Sequence, residues 1–189
     1  MSVSRRSNTP PANGLPGLTL VLGGMRSGKS RFAEDLILGS ADNALYLATA
    51  DTQASDSDPE MRDRIAQHQA RRGKGWETLE APLDLAAALQ NHARAARPVL
   101  VDCLTLWLSN ILAAGRDVTK EVEALLDTLG GLKGPVVFVS NEVGLGVVPQ
   151  NALARAFCDH AGRLHQLLGE RADQVVFVAA GLPLYLKSP

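Results

Sequence analysis

Cysteine is scarce in this chain of 189 residues: Cys103 and Cys158 are its two cysteines, both in apolar surroundings and neither at metal-ligand spacing, so two buried, reduced thiols in a cytoplasmic protein are expected. Long hydrophobic runs are also lacking. None approaches the roughly 18 to 20 apolar residues that a membrane-spanning helix requires, so no membrane span is expected. There is no basic excess either, with 19 Lys and Arg against 20 Asp and Glu, and this gives no reason to expect a nucleic-acid partner. Residues 1–16 contain Ser, Asn, Pro and Gly but no apolar core, which excludes a secretory signal and leaves a flexible tail as the expectation. What remains is 46% apolar and 21% charged, the composition of a soluble globular protein, and its length suits one α/β domain over 17–189.

Apolar runs that suit buried strands alternate with helical patterns along the chain. Strands are expected at 18–22, 44–48, 76–79, at the VLVDC run after Pro98, at 136–140, 175–179 and 184–186. Between them, helices are expected after Lys29 (Phe32, Leu36 and Ile37 on one face), at 60–72, 83–93, 104–114, 118–129 and 151–168. The last of these has Leu153, Phe157, Ala161, Leu164 and Leu168 on one stripe. Such alternation predicts a mostly parallel central sheet with helices on both faces and ligands outside the carboxyl ends of the strands; with the phosphate-binding loop pattern GGMRSGKS at residues 23–30 added, a P-loop NTPase domain of the RecA-like kind is expected.

The first strand leads into GGMRSGKS, comprising Gly23, Gly24, Met25, Arg26, Ser27, Gly28, Lys29 and Ser30, which satisfies the phosphate-binding loop pattern in full. Glycines allow close backbone approach to a phosphate chain, and the helix start offers amide donors and a favourable dipole. Lys29 would reach the β and γ phosphates and the Ser30 hydroxyl would hold Mg2+. Asp102 ends the VLVD strand, where an acid caps a helix or, downstream of a phosphate loop, holds magnesium directly or through water.

Of the four histidines, His92, His160 and His165 call for no special role, whereas His68 sits among Arg62, Arg64, Arg71 and Arg72. A neutral imidazole is a nucleophile at cytoplasmic pH, and the arginines could neutralise a triphosphate; a charged helix face is the plainer alternative. Residues 141–151 hold two glycines, a proline and the carboxylate of Glu142 just past a strand, so either a substrate loop or a surface connection suits them.

As a set, LGGMRSGKSRFAE, YLATA, EMRDRIAQHQARR, WETLEAP, VLVDCLTLWLSN, SNEVGLGVVPQNALAR and AGLPLYLK, from about Leu18 to Lys187, resemble the bifunctional adenosylcobinamide kinase / adenosylcobinamide-phosphate guanylyltransferase family of cobalamin synthesis. The resemblance implies an enzyme that phosphorylates the aminopropanol hydroxyl of adenosylcobinamide with ATP or GTP, then transfers GMP from GTP onto that phosphate, giving adenosylcobinamide-GDP and pyrophosphate. The family pattern R-I-x-x-H-x-x-x-R falls on Arg64, Ile65, His68 and Arg72, which makes His68 the implied GMP carrier. Nucleotide contacts are implied at residues 23–30, at Ala48, Thr49 and Ala50, at Gln69, Ala70, Arg71 and Arg72, at Glu80 and at Asp102. Gly73 replaces a proline common in the family, and the loop at 51–58 is lengthened. The resemblance also implies a homo-oligomer, a trimer being the form expected. A simple P-loop kinase without histidine chemistry and a GTP-hydrolysing switch are the rival functions.

Overall fold

The computed structural model of the chain describes residues 14–50 and 75–189. The expected helix at 60–72, the loop at 51–58 and most of the tail lie outside these residues. β1 (Leu18–Gly23), β2 (Ala44–Ala48), β3 (Trp76–Glu80), β4 (Val99–Asp102), β5 (Val136–Asn141), β6 (Gln174–Ala179) and β7 (Leu182–Lys187) form one sheet in the order β3-β2-β4-β5-β1-β6-β7. Every pairing is parallel except β6 with β7, which is antiparallel. The described helices are α1 (Lys29–Leu38), α2 (Leu85–His92), α3 (Leu104–Ala113), α4 (Val118–Leu129) and α5 (Ala152–Arg171).

The continuous apolar runs become interior strands because side chains alternate between two covered faces. Leu20, Leu22, Leu45, Leu47, Val99, Val101, Val136 and Phe138 pack with Leu85, Leu89, Trp107, Leu108, Leu125 and Leu164, which come from α2 to α5. On the other face Val21, Tyr46, Leu100, Val137, Val139 and Val176 pack against Ala33 and Ile37 of α1. Thus helices cover both faces, as expected. Two helices start on side-chain caps: one carboxylate oxygen of Asp117 accepts from the amides of Thr119 and Lys120, and the Asn151 side-chain oxygen accepts from those of Leu153 and Ala154. No described helix is long and apolar enough to cross a membrane.

Two expectations need correction. On α5, Ala161, Leu164 and Leu168 are buried, but Leu153 is 68% exposed. A helix of 20 residues spans about 30 Å, longer than the strands beside it, so its first turn runs past the core layer. Both thiols are free; Cys103 and Cys158 are half-buried as whole residues, but the Cys103 thiol itself is buried as expected.

Phe138 lies on β5, adjacent to β1, and is fully buried. Phe138→Ala is expected to cost about 3–5 kcal/mol of unfolding free energy in a denaturant titration; a loss below about 1 kcal/mol would show that the core around β5 is not packed as described.

Candidate nucleotide site

β1 delivers the chain into the phosphate loop at Gly23, where there is no room for a side chain. A Cβ there would lie 2.5 Å from both the Val178 carbonyl oxygen and Ser27 Oγ. The loop then turns through left-handed backbone at Arg26 (φ 58°) and Gly28 (φ 94°), the kind of alternation from which anion-binding nests are built. The Ser27 amide donates to the Gly24 carbonyl at 3.2 Å, and the Gly181 amide, in the β6–β7 turn, donates to the Ser27 carbonyl at 2.8 Å. α1 starts at Lys29, and the first amides of a helix have no intrahelical acceptor and sit at the positive end of its dipole. Lys29 is only 8% exposed, and its Nζ donates to the Gly24 carbonyl at 3.2 Å. Burial pulls the Lys29 pKa below its ordinary value, and the charge of Asp102 opposes that shift. A cation is therefore folded over the concavity with an acid close enough to be felt.

The carboxyl ends of β2, β3, β4 and β5 are braced in register beside this loop. Ala48 is paired with Glu80 on one side and Asp102 on the other, and Gly23 with Asn141. The Tyr46 hydroxyl donates to Asp102 Oδ2 at 3.0 Å, and the Tyr46 ring meets Trp76 edge-on at 5.9 Å. Thr49 is fully buried, and its Oγ1 both accepts from the Cys103 amide and donates to the Cys103 carbonyl, each at 2.8 Å. Asn110 of α3 donates to the carbonyls of Thr49, at 2.7 Å, and Pro82, at 3.0 Å. Asn141 Nδ2 donates to Thr105 Oγ1 at 2.9 Å. The Cys103 sulfur lies 3.2 Å from Thr105 Oγ1, and burial, with Asp102 adding to it, raises the thiol's pKa, so it stays protonated and unreactive.

The structure brings together residues 23–30, Ala48, Thr49, Ala50, Glu80 and Asp102 at this one end of the sheet, with Glu80 on the outermost strand β3. Of these, Thr49 has its hydroxyl committed to the backbone of Cys103. His68, Gln69, Ala70, Arg71 and Arg72 lie outside the described residues. Sequence reasoning passed over His165, which is buried on α5 with Nε2 2.7 Å from Ser140 Oγ and Nδ1 3.7 Å from Glu142 Oε2. Its signal was present: the ring follows Leu164 on the apolar face, one turn after Ala161. Two open cavities near Gly17 and Asp173 lie at the amino ends of the strands, away from all of these groups.

Comparison with known proteins agrees with this geometry. The family model described as cobinamide kinase / cobinamide phosphate guanyltransferase matches residues 19–186. The bifunctional adenosylcobalamin biosynthesis protein CobP of Pseudomonas aeruginosa is 54% identical over 170 residues, covering 89% of this chain and 96% of that protein. The bifunctional adenosylcobalamin biosynthesis protein CobU of Salmonella typhimurium is 36% identical over 185 residues, covering 90% and 99%. Among solved structures, a Pyrococcus horikoshii protein superposes with a TM-score of 0.51 at 11% identity, covering 93% of this chain and 88% of that one. A prototypical ATPase from the type III secretion system of pathogenic bacteria gives 0.50 at 12% identity, covering 90% and 57%. These two likenesses concern the fold alone. A family model spanning nearly the whole chain and relatives matched over nearly their full length leave one assignment: the chain belongs to the cobinamide kinase / cobinamide phosphate guanyltransferase family.

Proposed function

We propose that this chain, through one catalytic domain at 17–189, phosphorylates adenosylcobinamide with ATP or GTP and then transfers GMP from GTP to adenosylcobinamide phosphate through His68. The observation that carries this reading is a complete phosphate loop, with Lys29 folded over it and Asp102 nearby, in a chain matched over 19–186 by the family model.

In the kinase step the loop amides and Lys29 grip the nucleotide, and catalysis is mostly positioning and charge neutralisation. In the guanylyl step the His68 imidazole attacks the α-phosphorus of GTP, forming an N–P bond as pyrophosphate leaves. A phosphate oxygen of adenosylcobinamide phosphate then attacks the same phosphorus, and the imidazole leaves with its electron pair. Splitting one displacement in two in this way needs cations around the phosphates, which Arg71, Arg72 and Lys29 supply. Ala48, Thr49, Ala50, Gln69, Ala70 and Glu80 complete the proposed nucleotide contacts.

Magnesium fits the donors present. Ser30 offers a hydroxyl and Asp102 a carboxylate, hard oxygens that leave most of an octahedron to phosphate oxygens and water. Among the described residues no group of three or more His, Cys, Asp or Glu could hold an ion unaided, which suits a metal that arrives with the nucleotide. When bound, the ion neutralises charge on the phosphate oxygens.

The same proposal includes self-association in the cytoplasm. β7, one of the two edge strands, exposes Leu182, Leu184 and Leu186 along one side, more apolar surface than an edge facing water usually carries.

GTP labelled at the α-phosphate is expected to leave a covalent adduct, stable in base and labile in acid, that disappears in His68→Ala. No adduct on the wild type, with phosphorylation intact, would leave a simple kinase; absence of both activities would leave a nucleotide switch. Lys29→Ala is expected to lower phosphorylation of adenosylcobinamide on the order of 100-fold or more in steady-state assays, and near-normal turnover would mean that the site is misplaced. Sedimentation velocity is expected to show an oligomer, with a trimer the favoured form, and a single monomeric species would remove that part of the proposal.

A further inference from the structure

β5 lies between β1, which carries the phosphate loop, and β4, which ends in Asp102. Directly beyond β5 comes Glu142, whose amide donates to the Gly23 carbonyl at 3.0 Å, so its backbone is fastened to the first residue of the phosphate loop. An acceptor alcohol approaching a γ-phosphate held by that loop enters from outside these strand ends. Three described carboxylates stand at the carboxyl ends of interior and edge strands here. Glu80 is on β3, with β2 and β4 between it and β5, and Asp102 is tied to the Tyr46 hydroxyl and suited to magnesium. Glu142 is the third, and its side chain is partly open to solvent.

The Glu142 side chain has a polar neighbour on each side. Oε1 accepts the Gly144 amide at 2.6 Å, and Oε2 lies 3.7 Å from His165 Nδ1. His165 comes from α5, across the packed face, and is only 8% exposed. Burial lowers its pKa, against the pull of Glu142, so the ring is neutral at neutral pH. The Ser140 hydroxyl lies 2.7 Å from Nε2; where it donates there, the single ring proton sits on Nδ1, the atom that faces Glu142 and has no hydrogen-bond partner among the described residues. Among the buried Ala161, Leu164 and Leu168 of its helix, the imidazole has two polar neighbours, the Ser140 hydroxyl and the Glu142 carboxylate.

We propose that Glu142 is the general base of the kinase step and that His165, set by Ser140, is its positioning residue. This role presupposes the two-step activity proposed above. Glu142 Oε2 takes the proton of the substrate hydroxyl as the hydroxyl oxygen bonds the γ-phosphorus. The bond from that phosphorus to the bridging oxygen breaks, and its electron pair leaves with the nucleoside diphosphate. Glu142 then releases the proton to solvent at its open edge. The guanylyl step has no use for this base, because its acceptor is already a phosphate anion, so Glu142 serves one of the two reactions.

Glu142→Gln keeps the acceptor for the Gly144 amide and removes the base. Its kcat for phosphorylating adenosylcobinamide is expected to fall about 100-fold to 10,000-fold, with KM for both substrates within about threefold. Labelling by GTP and GMP transfer to supplied adenosylcobinamide phosphate are expected to persist. His165→Gln and Ser140→Ala keep the base but loosen it, and each is expected to lower the same kcat by about 10-fold with KM held; Ser140→Ala covers the case in which the histidine variant does not fold. A phosphorylation kcat in Glu142→Gln within about threefold of wild type overturns the role, as does joint loss of phosphorylation and GMP transfer, which would make Glu142 a structural prop. A wild-type protein that transfers no phosphoryl group at all would sink the two-step activity itself, so the two failures are distinguishable.

Discussion

The phosphate loop can close only because Gly23 carries no side chain. The position is bounded by the Val178 carbonyl on β6 and by Ser27 within the loop, each close enough to exclude even a methyl group. Because Val178 O belongs to the sheet backbone, it cannot swing aside as a flexible side chain would. The constraint fixes where the loop leaves the sheet, and with it where Lys29 folds back over Gly24 and where α1 begins. The anion concavity is therefore a property of backbone packing between β1 and β6, to which the side chains add charge.

Around that fixed point the strand ends are joined by side-chain hydrogen bonds rather than left to loop packing. Tyr46 links β2 to β4, Thr49 links the end of β2 to Cys103, Asn110 ties two loop carbonyls to α3, and Asn141 reaches Thr105. Each bond adds only about 0.5–1.5 kcal/mol net, but most sit in partly buried surroundings where an unmade bond costs more than a made one gains. The polar set therefore resists distortion more strongly than its summed stability suggests. Such resistance suits a site that must keep its groups in one geometry.

Much of this was legible in the sequence because local pattern and tertiary demand agree. The runs that became β1, β4 and β5 are apolar on both faces, which only a covered parallel sheet satisfies, and the GKS turn between β1 and α1 has one common physical meaning. Periodicity failed where chain geometry intervened. Leu153 has the spacing of a core residue, but α5 outruns the layer it packs on. Contacts between distant positions left no local trace: Tyr46 and Asp102 are 56 residues apart, and Ser140 and His165 are 25 apart. A histidine on an apolar stripe reads as an ordinary core residue until its neighbours are known, which is why His165 was passed over while His68, marked by its arginines, was not.

The β6–β7 turn leans on the phosphate loop. Its Gly181 amide holds the Ser27 carbonyl, and a side chain on Gly28 would press against the Gly181 backbone. The closing hairpin is thus a strut under the phosphate loop, although some 150 positions of chain separate the two. Trimming, tagging or gripping the carboxyl terminus would then disturb the phosphate loop before any loss of global fold.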